Sequence, residues 1–206
     1  MVEIMRSHPL PDRIRALEAL EREASGCVAC ELSKTRSKVV FGSGSPSSPL
    51  LFVGEGPGES EDLSGLPFVG RSGKLLDRLL GEELGISRDQ IYIANIVKCR
   101  PPGNRNPLPA EVQACTPYLA SQIELIAPDL IVALGAVAAR FLVAPSLAIS
   151  TARGRFFNSR FGVVMPMFHP SYGLRQGASA VTAMRADIVT AKLYLIEKGS
   201  WPAIGS

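Results

Sequence analysis

The feature that most constrains this chain is its alternation of short apolar runs with longer amphipathic stretches. Residues 50–53, 91–97, 130–134 and 162–167 are four such runs, rich in Val, Ile and Leu. Residues 11–24, 72–84, 109–127, 136–143 and 181–197 read instead as helices, with side chains such as Leu75, Leu76, Leu79 and Leu80 on an apolar face. Strands that are apolar throughout, separated by helices, mean a parallel sheet covered on both faces. The pattern predicts a three-layer α/β/α fold with a central, mainly parallel four-stranded sheet. One domain is expected over residues 1–206, with an N-terminal helix at 11–24 and a short C-terminal tail at 200–206. Pro109 suits a first helical turn and Gly85 a helix stop, whereas Pro117 should bend the helix that contains it.

Composition excludes several classes. With 46% hydrophobic and 20% charged residues, the chain is neither disordered, collagen-like nor a coiled coil. No apolar run approaches the ~18 residues of a membrane-spanning helix, so no membrane partner is expected. Residues 1–10 carry Glu3, Arg6 and His8 around no apolar core. No secretory signal is expected there, and the chain reads as cytoplasmic. Nothing suggests an obligate partner, which leaves a monomer as the expectation. The net charge is +3, yet residues 98–185 hold nine Lys and Arg against only Glu111, Glu124 and Asp129. Sixteen of the 22 basic residues are Arg, the side chain suited to forked phosphate contacts. A solvated surface explains this charge as well as a polyanionic partner does.

The four cysteines, Cys27, Cys30, Cys99 and Cys115, form a C-x2-C pair and, after a long gap, a C-x15-C pair. A reducing compartment disfavours disulfides, and scattered thiols are ordinarily buried as small hydrophobes. Cys27 and Cys30 nevertheless have a chelating spacing, and Cys99 is flanked by Lys98 and Arg100, which favour a thiolate. Four thiolates suit zinc or an iron–sulfur cluster. The second pair is too spread for the tight knuckle of a zinc ribbon, and this argues for the cluster.

In a parallel sheet, ligands bind outside the carboxyl ends of the strands. Those ends read Gly54-Glu55-Gly56-Pro57-Gly58, then Asn95, then Gly135, then Phe168-His169-Pro170-Ser171. Glu59 stands where a dinucleotide fingerprint needs glycine. Gly73-Lys74 is followed by Leu75 rather than Ser or Thr, so no phosphate loop is present and no nucleotide cofactor is expected. The glycines let backbone N–H groups approach a flat ligand, or simply make a tight turn. Asn95 interrupts an apolar strand, and a buried amide without partners costs about 1–3 kcal/mol. A structural hydrogen bond would satisfy it. So would the edge of a nucleobase, because an amide offers a donor and an acceptor side by side. Phe68, between two glycine-bearing turns, is either core or a stacking platform. His169 gains interest from its place at a strand end.

Five segments carry a resemblance: Gly54-Glu55-Gly56-Pro57-Gly58-Glu59-Ser60-Glu61-Asp62, Gly65-Leu66-Pro67-Phe68-Val69-Gly70-Arg71-Ser72-Gly73, Asn95-Ile96-Val97-Lys98-Cys99-Arg100-Pro101-Pro102, Asn104-Arg105-Asn106-Pro107 and His169-Pro170-Ser171. With the order and spacing of the cysteines, they resemble the family-four, iron–sulfur uracil-DNA glycosylases over about residues 27–197. The resemblance implies a monofunctional repair enzyme that flips uracil out of DNA and hydrolyses its N-glycosidic bond. It implies that Cys27, Cys30, Cys99 and Cys115 hold a [4Fe–4S] cluster. Phe68 would stack on uracil and Asn95 would read its O4 and N3–H edge. His169 would stabilise charge on O2, with backbone amides near Gly56 and His169 binding it, and Pro57 and Gly58 would belong to the uracil-binding loop. Glu55 or Glu61 would orient the attacking water. Leu174 would wedge into the gap left by the base, and Arg100, Arg105, Arg153, Arg155, Ser171 and Arg175 would contact uracil-containing DNA. The competing class is a non-catalytic, four-thiolate DNA-binding module. A branch that traps the abasic sugar on a histidine would need an insertion after Asn95, and none is present.

Overall fold

A computed structural model describes residues 8–201, so residues 202–206 of the expected tail lie outside the described residues. The four apolar runs form β2 (Leu50–Gly54), β3 (Tyr92–Asn95), β4 (Leu130–Leu134) and β6 (Gly162–Met167). They pair in parallel in the order β3-β2-β4-β6, as the pattern predicts. The sheet has six strands rather than four, because β1 (Ser43–Gly44) and β5 (Phe157–Ser159) add antiparallel edges. These two are invisible to periodicity. β1 is two residues inside a Gly/Ser-rich loop, and β5 is three residues bound to β6 across the Arg160-Phe161 turn.

Successive residues of a strand point to opposite faces, and here both faces are apolar. Leu51 and Val53, Tyr92 and Ala94, and Ile131 and Ala133 enter one core cluster. Leu50 and Phe52, Ile91 and Ile93, and Leu130, Val132 and Leu134 enter the other. The first cluster is covered by α1 (Leu10–Ser25), α4 (Pro109–Ile126) and α5 (Gly135–Leu142). The second is covered by α3 (Arg71–Leu84) and α8 (Ala178–Glu197). Three short helices were not anticipated: α2 (Glu59–Ser64), α6 (Ile149–Ala152) and α7 (Pro170–Gln176). The segment after His169 is therefore a helical turn, not a loop. α4 runs through Pro117 without interruption.

Two helix ends show how the layers are pinned. Arg13 of α1 donates from Nε and Nη2 to the carbonyls of Leu125 and Ile126, both at 2.7 Å, so it caps the carboxyl end of α4. Gly85 takes a left-handed φ of 70° and closes α3 through its N–H to Gly81 O. Within α3, Gly73 and Gly81 differ sharply. A Cβ on Gly73 would run into the Phe68 carbonyl, whereas one on Gly81 would meet nothing within 4 Å. Gly73→Ala is expected to lower stability by about 2–3 kcal/mol through this overlap. Gly81→Ala should raise it by about 0.5–1 kcal/mol by removing glycine's backbone freedom in the unfolded chain. Urea melts of the two variants check both signs.

Candidate active site and thiol-lined pocket

The carboxyl ends of all four parallel strands point to one edge of the sheet, where a cavity of about 540 Å³ opens. Glu55, Gly56, Phe68, Asn95, His169 and Arg175 are among its walls. Gly54 and Asn95 are partners across β2 and β3. A Cβ on Gly54 would overlap Asn95 Oδ1 and stand 2.7 Å from Phe68 Cζ, so only glycine lets the amide and the ring approach one point. Asn95 is buried, and its Oδ1 has no hydrogen-bond partner. Nine-tenths or more of buried polar groups are paired, so this acceptor is an exception that asks for a ligand.

Phe68 adopts a φ of +53°, a conformation that costs a bulky residue of the order of 1–3 kcal/mol. Its surroundings hold it there. Glu61 Oε1 accepts the amides of Val69 at 2.9 Å and Gly70 at 2.8 Å, and Oε2 accepts that of Gly58 at 3.1 Å. Arg88 forks onto the carbonyls of Phe68 at 3.0 Å and Pro67 at 2.5 Å. Glu61 is thus committed to three backbone amides. Glu55 differs: among the described residues nothing hydrogen-bonds its carboxylate, and burial pushes its pKa up.

His169 caps α7, its Nδ1 accepting the Ser171 amide at 3.1 Å with Ser171 Oγ at 2.8 Å. A neutral ring whose Nδ1 is an acceptor carries its proton on Nε2. Burial, and secondarily the nearby Arg175 guanidinium, lowers the His169 pKa to about 4. The ring also lies 5.6 Å from that of Phe68, centroid to centroid. Gly135, at a φ of +90°, leaves room for it: a Cβ there would sit 3.0 Å from His169 Cβ.

In a second pocket, Cys27, Cys30, Cys99 and Cys115 lie together with Arg36, Lys98, Tyr118 and small residues. All four thiols are free. Arg36 Nη1 donates to Cys99 Sγ at 3.3 Å and the Lys98 amide to Cys115 Sγ at 3.2 Å. Burial is the main cause that raises the pKa of Cys99, and that of Cys115 to about 11. No three His, Cys, Asp or Glu side chains among the described residues are spaced to grip a single metal ion.

Residues 41–190 match the model of the uracil DNA glycosylase superfamily. A type-4 uracil-DNA glycosylase of Thermotoga maritima is 45% identical over 190 residues, 91% of this chain and 98% of that protein. One of Saccharolobus solfataricus is 42% identical over 166 residues, 77% of each chain. A type-5 uracil-DNA glycosylase of Pyrobaculum aerophilum matches less, at 35% over 102 residues. The chain belongs to the type-4 uracil-DNA glycosylases. It is an enzyme of that class, and its family and fold agree with the resemblance carried by the sequence motifs.

In this glycosylase the arginines expected to contact DNA fall into two groups. Arg105 and Arg175 line the cavity, although Arg105 is also held by Glu111 through two bonds of 2.6 and 2.8 Å. Arg100, Arg153 and Arg155 do not line it. Arg100 donates to Asn104 Oδ1 at 2.8 Å. Arg153 grips both oxygens of buried Asp187 at 2.8 and 3.0 Å and lies over the Phe168 ring. Arg155 lies 6.0 Å from the centroid of the Phe157 ring. Leu174 is 42% exposed on α7. The bracing by Glu61 and Arg88 was missed. The unusual Phe68 between glycines was its only trace in sequence.

The depressed His169 pKa has a thermodynamic consequence. Below about pH 6.5 the unfolded chain takes up a proton that the folded ring refuses until about pH 4. Stability from the neutral ring is therefore whole above pH 6.5 and lost progressively as the pH falls toward 4. Denaturant midpoints across that window should fall less for His169→Gln than for the wild type. The imidazole signals of His169 should still report a neutral ring at pH 5.

Proposed function

We propose that this enzyme excises uracil from DNA, hydrolysing the N-glycosidic bond of a flipped-out deoxyuridine and leaving an abasic site for base excision repair. The observation that carries the reading is the buried, unpartnered Asn95 Oδ1 in the wall of the cavity. Uracil N3–H is the donor that this acceptor lacks, and uracil O4 accepts from the same amide. Cytosine presents the opposite pattern at both atoms and would leave two buried groups unpaired, at about 1–3 kcal/mol each. The braced Phe68 ring supports the base face. Stacking there offsets part of the few kcal/mol that flipping costs.

Breaking the C1′–N1 bond puts negative charge on uracil, mainly at O2, and positive charge on the sugar. His169 Nε2–H is assigned to O2, with backbone amides near Gly56 and His169 beside it. A donor already aimed at charge that grows in the transition state lowers the barrier without reorganisation. Glu55 is assigned to the attacking water and to shielding the sugar cation, because its carboxylate is free. Glu61 acts as a brace. Leu174 would fill the vacated base stack, and Ser171, Arg105 and Arg175 would meet the flanking phosphates, with Arg100, Arg153 and Arg155 further out.

The residues of the second pocket fit a [4Fe–4S] cluster held by Cys27, Cys30, Cys99 and Cys115. Four cysteines line one space, and two N–H donors face sulfurs there, as suits the anionic sulfurs of a cubane. When bound, the cluster would supply no reacting atom and would tie the end of α1 to β3 and α4.

The deciding experiment incubates the purified protein with an oligonucleotide carrying one deoxyuridine, followed by alkali and a sizing gel. Cleavage at that position alone is expected. An intact strand from iron-loaded protein would mean a DNA-binding module without chemistry. Asn95→Asp should release detectable cytosine. Glu55→Gln should slow uracil release by about 10²–10⁴. It should also abolish the acid limb of the pH–rate profile, since Glu55 titrates above the ordinary carboxylate range while His169 stays neutral down to about 4.

A further inference from the structure

Resting on the base-reading role of Asn95, we propose that Lys98 is a positioning residue. Its ammonium holds the end of β3 in the geometry that presents Asn95 to the base, and the neighbouring four-thiol centre balances its charge. β2 and β3 part just beyond the Gly54–Asn95 pair, the last bonds between them being Ile96 N–H to Gly54 O at 2.9 Å and Val97 N–H to Glu55 O at 3.2 Å. Lys98 reaches back to this point, and its Nζ donates to the Asn95 carbonyl at 2.8 Å and to Gln122 Oε1. Gln122 is itself fixed, donating from Nε2 to Phe41 O at 2.9 Å. The backbone that carries the base-reading amide is thus fastened to α4 through one side chain.

Lys98 is only 2% exposed, and among the described residues no carboxylate pairs with it. A buried ammonium with only neutral partners costs several kcal/mol. The nearest source of negative charge is the thiol pocket, which Lys98 itself lines: its amide bonds Cys115 Sγ and its chain neighbour is Cys99. Four thiolates around an iron–sulfur centre leave a net negative charge there, which is the counter-charge that Lys98 lacks. The same residue thereby lines the thiol pocket and holds the strand end that carries Asn95.

The test uses iron-loaded enzyme and Lys98→Met, which keeps chain length and removes the charge and its donors. With iron content unchanged, kcat should fall about tenfold or more, with KM within about threefold, because the DNA contacts are untouched. Release of cytosine relative to uracil should rise. The midpoint potential of the centre should become more negative, since a positive charge beside it is lost. A kcat within about twofold of wild type would overturn the positioning role, and an unchanged potential would overturn the charge balance. Should Lys98→Met fail to fold with iron, Gln122→Leu is read in its place, since it leaves Lys98 and all four thiols intact. A fall in kcat at constant KM supports the inference, and a wild-type kcat overturns it. Asn95→Ala separates the two claims. Full activity in that variant sinks the base-reading assignment, whereas an inactive Asn95→Ala beside a wild-type Lys98→Met sinks only the role of Lys98.

Discussion

Two paired strands that separate leave polar groups without ladder partners, and β2 and β3 separate after Gly54 and Asn95. Most of the site can be understood as the means by which this chain meets that demand. The Asn95 carbonyl takes an ammonium from Lys98, and the amides of Ile96 and Val97 still reach back to Gly54 and Glu55. Across the cavity mouth, the amides of Gly58, Val69 and Gly70 all turn to one carboxylate, Glu61. Among the described residues at these strand ends, Asn95 Oδ1 is a buried acceptor left without a partner. A folded chain that satisfies so many strand-end groups and leaves this one bare has an opening of a particular hydrogen-bonding sense.

The same region stores backbone strain. Phe68 is held at positive φ by Glu61 on one side and Arg88 on the other, while Gly73 lies against its carbonyl where no other residue fits. Strain of this kind persists only where the surroundings over-determine it. A ring on a relaxed loop would lose rotamer and backbone freedom each time a base arrived. A ring already locked would lose little, so in the proposed stacking role more of that energy would remain to offset extrusion of the base.

The core was legible in the sequence because it rests on periodicity. Leu50 to Val53 and Leu130 to Leu134 are apolar at every position, which only a doubly covered strand explains, and β2 and β4 appear there. Asn95, Phe68 and His169 were legible because each breaks its local pattern. β1 and β5 were not, since two or three residues carry no period. Nor was the division of labour between Glu55 and Glu61. Both are acids in the same loop, and only three-dimensional placement shows that one carboxylate is consumed by backbone amides and the other is free. Lys98 was noticed only as a neighbour of Cys99, because nothing in the chain announces that its side chain folds back to Asn95.

Burial acts on both ionisable groups assigned to the chemistry, and it pushes each toward its neutral form. For His169 the displacement is large, to about 4, so the ring is neutral wherever the protein would ordinarily work. Glu55 is displaced upward, yet desolvation is opposed by no bound partner that would need to be broken before it meets water. A neutral donor at O2 is the better choice for an excision enzyme. An imidazolium in this low-dielectric wall would attract the nearby carboxylates, and Glu61 already favours its protonation. It would also hold the departing uracil anion as strongly as the transition state that forms it. Arg175 works against that outcome by keeping the ring unprotonated. If a phosphate neutralised Arg175 on DNA binding, the His169 pKa would rise, but burial is the larger cause of its displacement and would remain. In the proposed role the ring would therefore stay a neutral donor when DNA binds, with its tautomer set by the Ser171 amide rather than by the ligand.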